Sequence, residues 1–244
     1  MRKYLCWVVL FCSAFLIAAI PASPGSRSFS AVGTNYLTVG SSLPDMTSNW
    51  TIVFWVKRSV INANQMLYGR FATTSTHRQI AIYFNTSGNT LQVDIPYIGA
   101  ILTSSGTIID TNWHHVAVTR TSAGVYIIYL NGVFDSTTTN ATAQETASPL
   151  YIGYSVPQTA GQFSGQIAEM AGWNVVLKAN EISSLAHCTP ASVVHGGTNL
   201  QFYWPIWGAD ASEPDLSGGK NNLSISGSAP LANHVCGPSA GSGR

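Results

Sequence analysis

The sequence predicts an all-β fold: a two-sheet antiparallel jelly-roll sandwich with one short helix and an N-terminal signal segment. Three observations predict it. Short runs of apolar, β-branched and aromatic residues recur with turn-forming residues between them. Several runs are apolar on both faces, which places them inside a packed structure. Strands do not alternate with long helical patterns, so the crossover units of a parallel sheet are not expected.

The chain begins with the pattern of a secretion signal. Arg2 and Lys3 give a positive start, residues 4–20 are apolar apart from Ser13, and Pro21-Ala22-Ser23 gives a small-residue cleavage region. The expectation is a signal segment over residues 1–22, cut after Ala22. The alternative is an uncleaved anchor, since the apolar run is close to the roughly 17-residue lower limit for spanning a bilayer. The cut removes Cys6 and Cys12 and leaves Cys188 and Cys236. Two cysteines in an exported chain suggest a disulfide; two buried free thiols are the alternative.

Residues 23–28 read as a flexible lead. Tyr36-Leu37-Thr38-Val39 is a strand, and 41–49 is a polar loop holding Pro44. Trp50 to Val56 is apolar on both faces. Gln65 to Phe71 and Arg78 to Phe84 follow, then a turn cluster at 85–89. Leu91 to Ile95 and Ile98 to Leu102 are strands, with Pro96 marking an edge or a bend. The stretch from Trp113 to Val133 forms the centre: strand, polar link at 121–124, strand, Asn131-Gly132, strand. Asn-Gly tolerates the positive φ values of a tight type I′ hairpin turn. Ser136 to Ser148 reads as a Thr- and Ala-rich loop. Leu150 to Gly153 resumes the sheet, 155–161 is a loop, and Gln166 to Trp173 is a strand.

The one convincing helix is Ala179 to His187, where Ile182, Leu185 and Ala186 share a face. Leu200 to Trp207 is an aromatic-rich strand, 210–222 a turn-rich loop and Leu223 to Ser226 a last strand. Residues 23–238 are read as one domain, with 196–238 adding strands to the same sandwich, and 239–244 as a flexible tail. A separate module of about 50 residues at the C-terminus is the alternative.

Composition narrows the partners. The chain has 244 residues, 45% hydrophobic and 9% charged, with a formal net charge of +1. Typical soluble proteins are roughly 25% charged, so Ser, Thr, Asn, Gln and Gly must supply the hydration. There is no basic run and no acidic tail, so neither nucleic acid nor an anionic membrane surface is an expected partner. Once the signal is cut, no membrane span is expected.

Several segments, taken in order, carry a family likeness. They are Ile52-Val53-Phe54-Trp55-Val56-Lys57, Trp113-His114-His115-Val116-Ala117-Val118-Thr119, Tyr129-Leu130-Asn131-Gly132 and Leu150-Tyr151-Ile152-Gly153, then the run from Gly165 to Leu177 leading into Glu181-Ile182-Ser183-Ser184-Leu185. The set resembles the laminin-G-like, concanavalin-A-like jelly rolls of the lectin/glucanase superfamily, over most of residues 29–187. One departure is order: Leu200-Gln201-Phe202-Tyr203-Trp204-Pro205 with the Asp215 to Asn222 turn resembles a segment that opens the domain in many relatives.

The resemblance also implies a structural calcium in some relatives. Calcium wants six to eight oxygen ligands, usually with several carboxylates. Here the corresponding positions carry Thr34-Asn35-Tyr36 and Ala168-Glu169, which leaves Asn35 and Glu169 as the metal candidates. The plainer reading, a turn Asn and a surface carboxylate, is preferred.

No catalytic constellation stands out. Concanavalin-like glucanases place Glu-x-Asp-x-x-Glu along one strand, and that spacing does not occur here. Asp210, Glu213 and Asp215 cluster in a loop, where turn and capping hydrogen bonds are their expected use. His114 and His115 point to opposite faces of a strand and cannot chelate one ion together.

Trp50, Trp55, Trp113 and Trp204 sit on strands and are read as core. Tyr154, Phe163, Trp173 and Trp207 lie near loops, where an aromatic face could stack on a sugar ring. Tyr154 and Trp207 are the ligand-binding candidates, and the loops 155–161 and 207–222 are the expected carriers of binding. The expected function is a secreted or surface-exposed, non-catalytic carbohydrate-binding module with a glycan partner. The alternative is a structural or adhesive extracellular protein that works through protein contacts or self-association.

Overall fold

The computed structural model describes residues 25–31, 35–39, 43, 46–71, 78–96, 98–144, 149–155, 161–207 and 212–236. The signal segment, Thr34, Pro44, Asp210, the tail at 239–244 and most of the 155–161 loop lie outside the described residues.

The strands run in chain order as β1 (Gly25–Phe29), β2 (Tyr36–Val39), β3 (Trp50–Arg58), β4 (Gln65–Phe71), β5 (Arg78–Phe84), β6 (Thr90–Ile95), β7 (Gly99–Thr107) and β8 (Trp113–Arg120). They continue as β9 (Val125–Leu130), β10 (Val133–Thr139), β11 (Leu150–Ile152) and β12 (Gly165–Trp173). The helix α1 (Ala179–Ala186) and a 3-10 turn (Val194–Gly197) come next, then β13 (Leu200–Trp204), β14 (Ser212–Glu213), β15 (Leu223–Ser226) and β16 (Leu231–Asn233).

Two eight-stranded sheets result. The first has the order β10-β9-β8-β3-β12-β1-β16, with β13 also paired to β12. The second has the order β14-β15-β2-β11-β4-β5-β6-β7. The ladders of both are antiparallel, as the jelly-roll reading expects.

Alternation along each strand decides what is inside. From the first sheet, Phe54, Val116, Ile128 and Ile167 point inward; Leu37, Ile82, Val93 and Ile152 meet them from the second. The opposite parity of the first sheet is also apolar, with Val53, Ala117, Ala171 and Trp173. α1 covers that outer face through Ile182 and Leu185, three residues apart on one side of the helix. Glu181 steadies its first turn, its carboxylate accepting from the Lys178 amide at 2.7 Å and from His195 on the 3-10 turn at 2.9 Å.

The C-terminal segment is threaded through both sheets: β13 pairs with β12, β15 with β2 and β16 with β1. Phe202 and Trp204 stack at 4.3 Å inside the common core. Arg27 of β1 forms a buried ion pair with Glu213 of β14, and its Nη1 donates to the Ala229 carbonyl at 2.6 Å. Cys188, just past α1, is joined to Cys236, just past β16, with Cα atoms 5.3 Å apart.

Four expectations need correction. Residues 25–29 are not a lead but β1, the strand between β12 and β16; its polar Ser26 and Arg27 hid it, yet both are buried and hydrogen-bonded. Residues 136–139 are not loop but the body of β10, whose threonines suit an edge strand laid on β9. Part of the 210–222 loop is β14, and a sixteenth strand follows at Leu231–Asn233, both too short to show a pattern. Phe163 and Trp173 are fully buried core residues and not available to a sugar.

Candidate functional site

α1 and the 3-10 turn occupy the outer face of the first sheet, so the second sheet is where an accessible face is found. In β2, Leu37 and Val39 point into the core, which turns Tyr36 and Thr38 outward. In β11, Leu150 and Ile152 are core, and Tyr151 faces out beside Thr38. β15 adds Ser224 opposite Thr38 and Ser226 opposite Tyr36.

Gly153 then bends the chain at φ 78, and a Cβ there would lie 2.6 Å from the Phe29 ring, so this corner requires glycine. The bend brings Tyr154 back over the sheet. Its ring stacks on Tyr36 with centroids 4.8 Å apart and an interplanar angle of 28°. Tyr151 meets Tyr36 edge-on at 5.7 Å and Tyr154 at 6.2 Å. All three rings are half-buried, with part of each surface in solvent. Burial raises the Tyr151 pKa, and the neighbouring Tyr36 and Tyr154 phenols raise it further.

Beside this cluster the face continues through Met66, Ala81 and Tyr83, which are buried and packed against Tyr151. Register runs in one transverse row from Thr38 through Tyr151, Gly69 and Ala81 to Asp94. Asp94 is 4% exposed. Its Oδ2 accepts from the Tyr83 hydroxyl at 3.5 Å, and its Oδ1 is buried with no hydrogen-bond partner among the described residues. Burial raises the Asp94 pKa, and hydrogen bonds from Tyr83 and the Gly99 backbone offset part of that. Tyr83 is pushed up to about 12 by burial and by the Asp94 carboxylate.

The two ligand-binding candidates are not brought together. Tyr154 belongs to the tyrosine cluster of the second sheet. Trp207, also half-buried, lines a separate cavity of about 240 Å³ with Gly25, Leu231 and Asn233, at the β1 and β16 margin of the first sheet. Tyr36 and Tyr151, which complete the cluster, were read from sequence only as strand residues. The alternation of Tyr36-Leu37-Thr38-Val39 already assigns Tyr36 to the non-core face; that Tyr151 and Tyr154 lie beside it depends on a pairing of strands far apart in sequence.

The metal candidates do not fit a calcium ion. Asn35 precedes β2 in the second sheet, and its side-chain carbonyl accepts from the Ser228 amide at 2.9 Å. Glu169 sits in a bulge of β12 in the first sheet, at φ 51, facing Trp55 and His115 under the helix, and its Oε2 accepts from the buried Tyr203 hydroxyl at 2.5 Å. Among the described residues no group of three or more His, Cys, Asp or Glu side chains is placed to hold a metal ion.

The remaining polar candidates have structural partners. Asp215 accepts from the Tyr203, Ser217 and Asn221 amides, the capping use expected of it. His114 contacts Asp110 at 2.9 Å while His115 is buried on the other face.

Comparison with known proteins fits this architecture. A family model of the concanavalin A-like lectin/glucanases superfamily matches residues 31–183, well over half the chain, and the chain belongs to that superfamily. Among curated proteins none matches it in sequence.

Many solved structures share its fold, three of them as follows. A Bacteroides ovatus protein with an inferred carbohydrate-binding role matches with a TM-score of 0.67 at 17% identity, over 88% of this chain and 60% of that one. The chain thus spans about three-fifths of that protein's length. The heptameric SAP-like pentraxin of Limulus polyphemus matches with a TM-score of 0.63 at 14% identity, over 90% of this chain and 99% of that one. The CBM40 module of the Ruminococcus gnavus IT-sialidase, bound to α2,3-sialyllactose, matches with a TM-score of 0.53 at 16% identity, over 66% of this chain and 96% of that one. At these identities the likeness is one of fold.

Proposed function

We propose that this protein is an exported, non-catalytic carbohydrate-binding module that holds its glycan on the outer face of the second sheet. The observation that carries the reading is the cluster of Tyr36, Tyr151 and Tyr154, three partly exposed rings flanked by the hydroxyls of Thr38, Ser224 and Ser226. An aromatic face matches the apolar C–H face of a pyranose, and hydroxyls at its edge exchange hydrogen bonds with the sugar. The carbohydrate-binding assignments of the Bacteroides and Ruminococcus structures support the class of ligand.

Export is supported by the Arg2-Lys3 start with its apolar run and by the Cys188–Cys236 disulfide. No helix among the described residues is long and apolar enough to cross a membrane. The non-catalytic reading rests on the acids themselves. Glu169, Glu213 and Asp215 are taken up by Tyr203, Arg27 and backbone amides, and Asp94 stands next to a tyrosine rather than a second carboxylate.

The test is a glycan array followed by calorimetry on the tightest ligand with the native protein and the Tyr154→Ala variant. Binding that Tyr154→Ala weakens, with the melting temperature nearly kept, is the expected result. A native protein that binds no glycan, or one whose binding ignores all three tyrosines, refutes the proposal.

A further inference from the structure

We propose that the tyrosine face selects uncharged sugars and discriminates against sialylated, uronic-acid and sulfated glycans. The inference rests on the carbohydrate-binding reading above and narrows its ligand class. The accessible groups are neutral: the phenols of Tyr36, Tyr151 and Tyr154 and the hydroxyls of Thr38, Ser224 and Ser226.

Recognition of a carboxylate or sulfate in a protein site characteristically uses a guanidinium or ammonium. Among the described residues no such group stands on the transverse row from Ser224 through Thr38, Tyr151, Gly69 and Ala81 to Asp94. The nearest arginine in register, Arg70, is paired with the core positions Leu150 and Ile80; it is 1% exposed, and its Nη2 donates inward to the Leu43 carbonyl.

The charge-bearing group on the row is the Asp94 carboxyl, two strands from Gly69 and linked through Tyr83 to the packing that touches Tyr151. Burial, and secondarily this carboxylate, hold the neighbouring Tyr83 phenol at a raised pKa. An anionic sugar laid on the rings would lose hydration without gaining a cation, and the field of the Asp94 carboxylate, three strands along the row, would oppose it. A neutral sugar meets neither penalty.

The test is an array carrying each neutral oligosaccharide core beside its sialylated, uronic-acid and sulfated forms, then calorimetry on the best core and its acidic counterparts. The expected result is at least about tenfold tighter binding of the neutral form, since a charge desolvated without a cationic partner carries a large penalty. The ratio should narrow in Asp94→Asn and, in the native protein, as salt is raised from low to high ionic strength, since screening weakens the repulsion. The salt series reads the same effect if Asp94→Asn does not fold. Acidic forms that bind as tightly as the neutral core, with binding still lost in Tyr154→Ala, overturn the selectivity and leave the carbohydrate reading standing. Binding to no glycan at all overturns both.

Discussion

Tyr154 stacks on Tyr36 across two neighbouring strands, with centroids 4.8 Å apart. One ring comes from the corner after β11 and the other opens β2, so the pair forms only when those two strands lie side by side. Removing the Tyr154 ring should cost about 0.5–1.5 kcal/mol of stability, the worth of an aromatic pair. Loss of a central aromatic contact in a binding site costs more than about 1 kcal/mol of affinity, or upwards of about fivefold. Tyr154→Ala should therefore weaken glycan binding strongly and the fold slightly, as calorimetry beside thermal melting would show. Trp207→Ala, which alters a cavity beside the first sheet, should leave the affinity unchanged.

The path from sequence to this pair shows which features were local. The central hairpin was legible because Tyr126 and Ile128 face the core while Tyr129 faces the outer layer, and Asn131 and Gly132 adopt φ 51 and 80 as a tight turn requires. β1 was not legible. Its buried Ser26 and Arg27 find partners in Asn233, Ala229 and Glu213, about two hundred residues away, and no window on the sequence contains both ends of those bonds. The tyrosine site divides in the same way. The outward parity of Tyr36 is written in four residues of β2, whereas its meeting with Tyr151 and Tyr154 depends on sheet order, which pattern alone does not set.

A chelator should leave the protein unchanged. The Glu169 carboxylate is engaged by Tyr203, and Asn35 is tied to Ser228 in the other sheet. A calcium ion that stabilised the native state would shift the melting temperature on removal by mass action. Thermal melts in excess calcium and in excess chelator should therefore coincide. A drop of several degrees with chelator would reveal a metal site built from other residues.

The disulfide should matter more. Cys188 and Cys236 are separated by 48 residues, a segment that includes β13, β14, β15 and β16. Closing a loop of that length restricts the unfolded chain, and opening it costs about 2–5 kcal/mol. Replacing both cysteines by serine should lower the denaturation midpoint accordingly. The first elements to lose protection in hydrogen exchange should be β16 and the end of α1, which the bridge ties together.

Acid should weaken the fold through His115. His115 of β8 is 1% exposed, with Trp55 5.4 Å from its ring and Glu169 lining the same small pocket. Burial, and secondarily the nearby His234, lower its pKa from 6.5 to about 3. In the unfolded chain the same side chain takes up a proton near pH 6.5. As pH falls below that value the unfolded state binds a proton that the folded state refuses, so the contribution to stability is full above pH 6.5 and is lost progressively down to about 3. The slope cannot exceed about 1.4 kcal/mol per pH unit for one group, so roughly 2 kcal/mol should disappear between pH 6.5 and 5. Asp110 and Glu181, whose pKa values are lowered chiefly by hydrogen bonds from His114 for the first and from Lys178 and His195 for the second, add their own loss only at lower pH. Denaturant titrations of the native protein and of His115→Phe between pH 7 and 5 read this histidine by difference, the raised Asp94 carboxyl being common to both. His115→Phe, which keeps a buried ring and removes the titrating group, should lose less stability than the native protein in that window; two profiles of equal slope would show that His115 takes up its proton in the folded state.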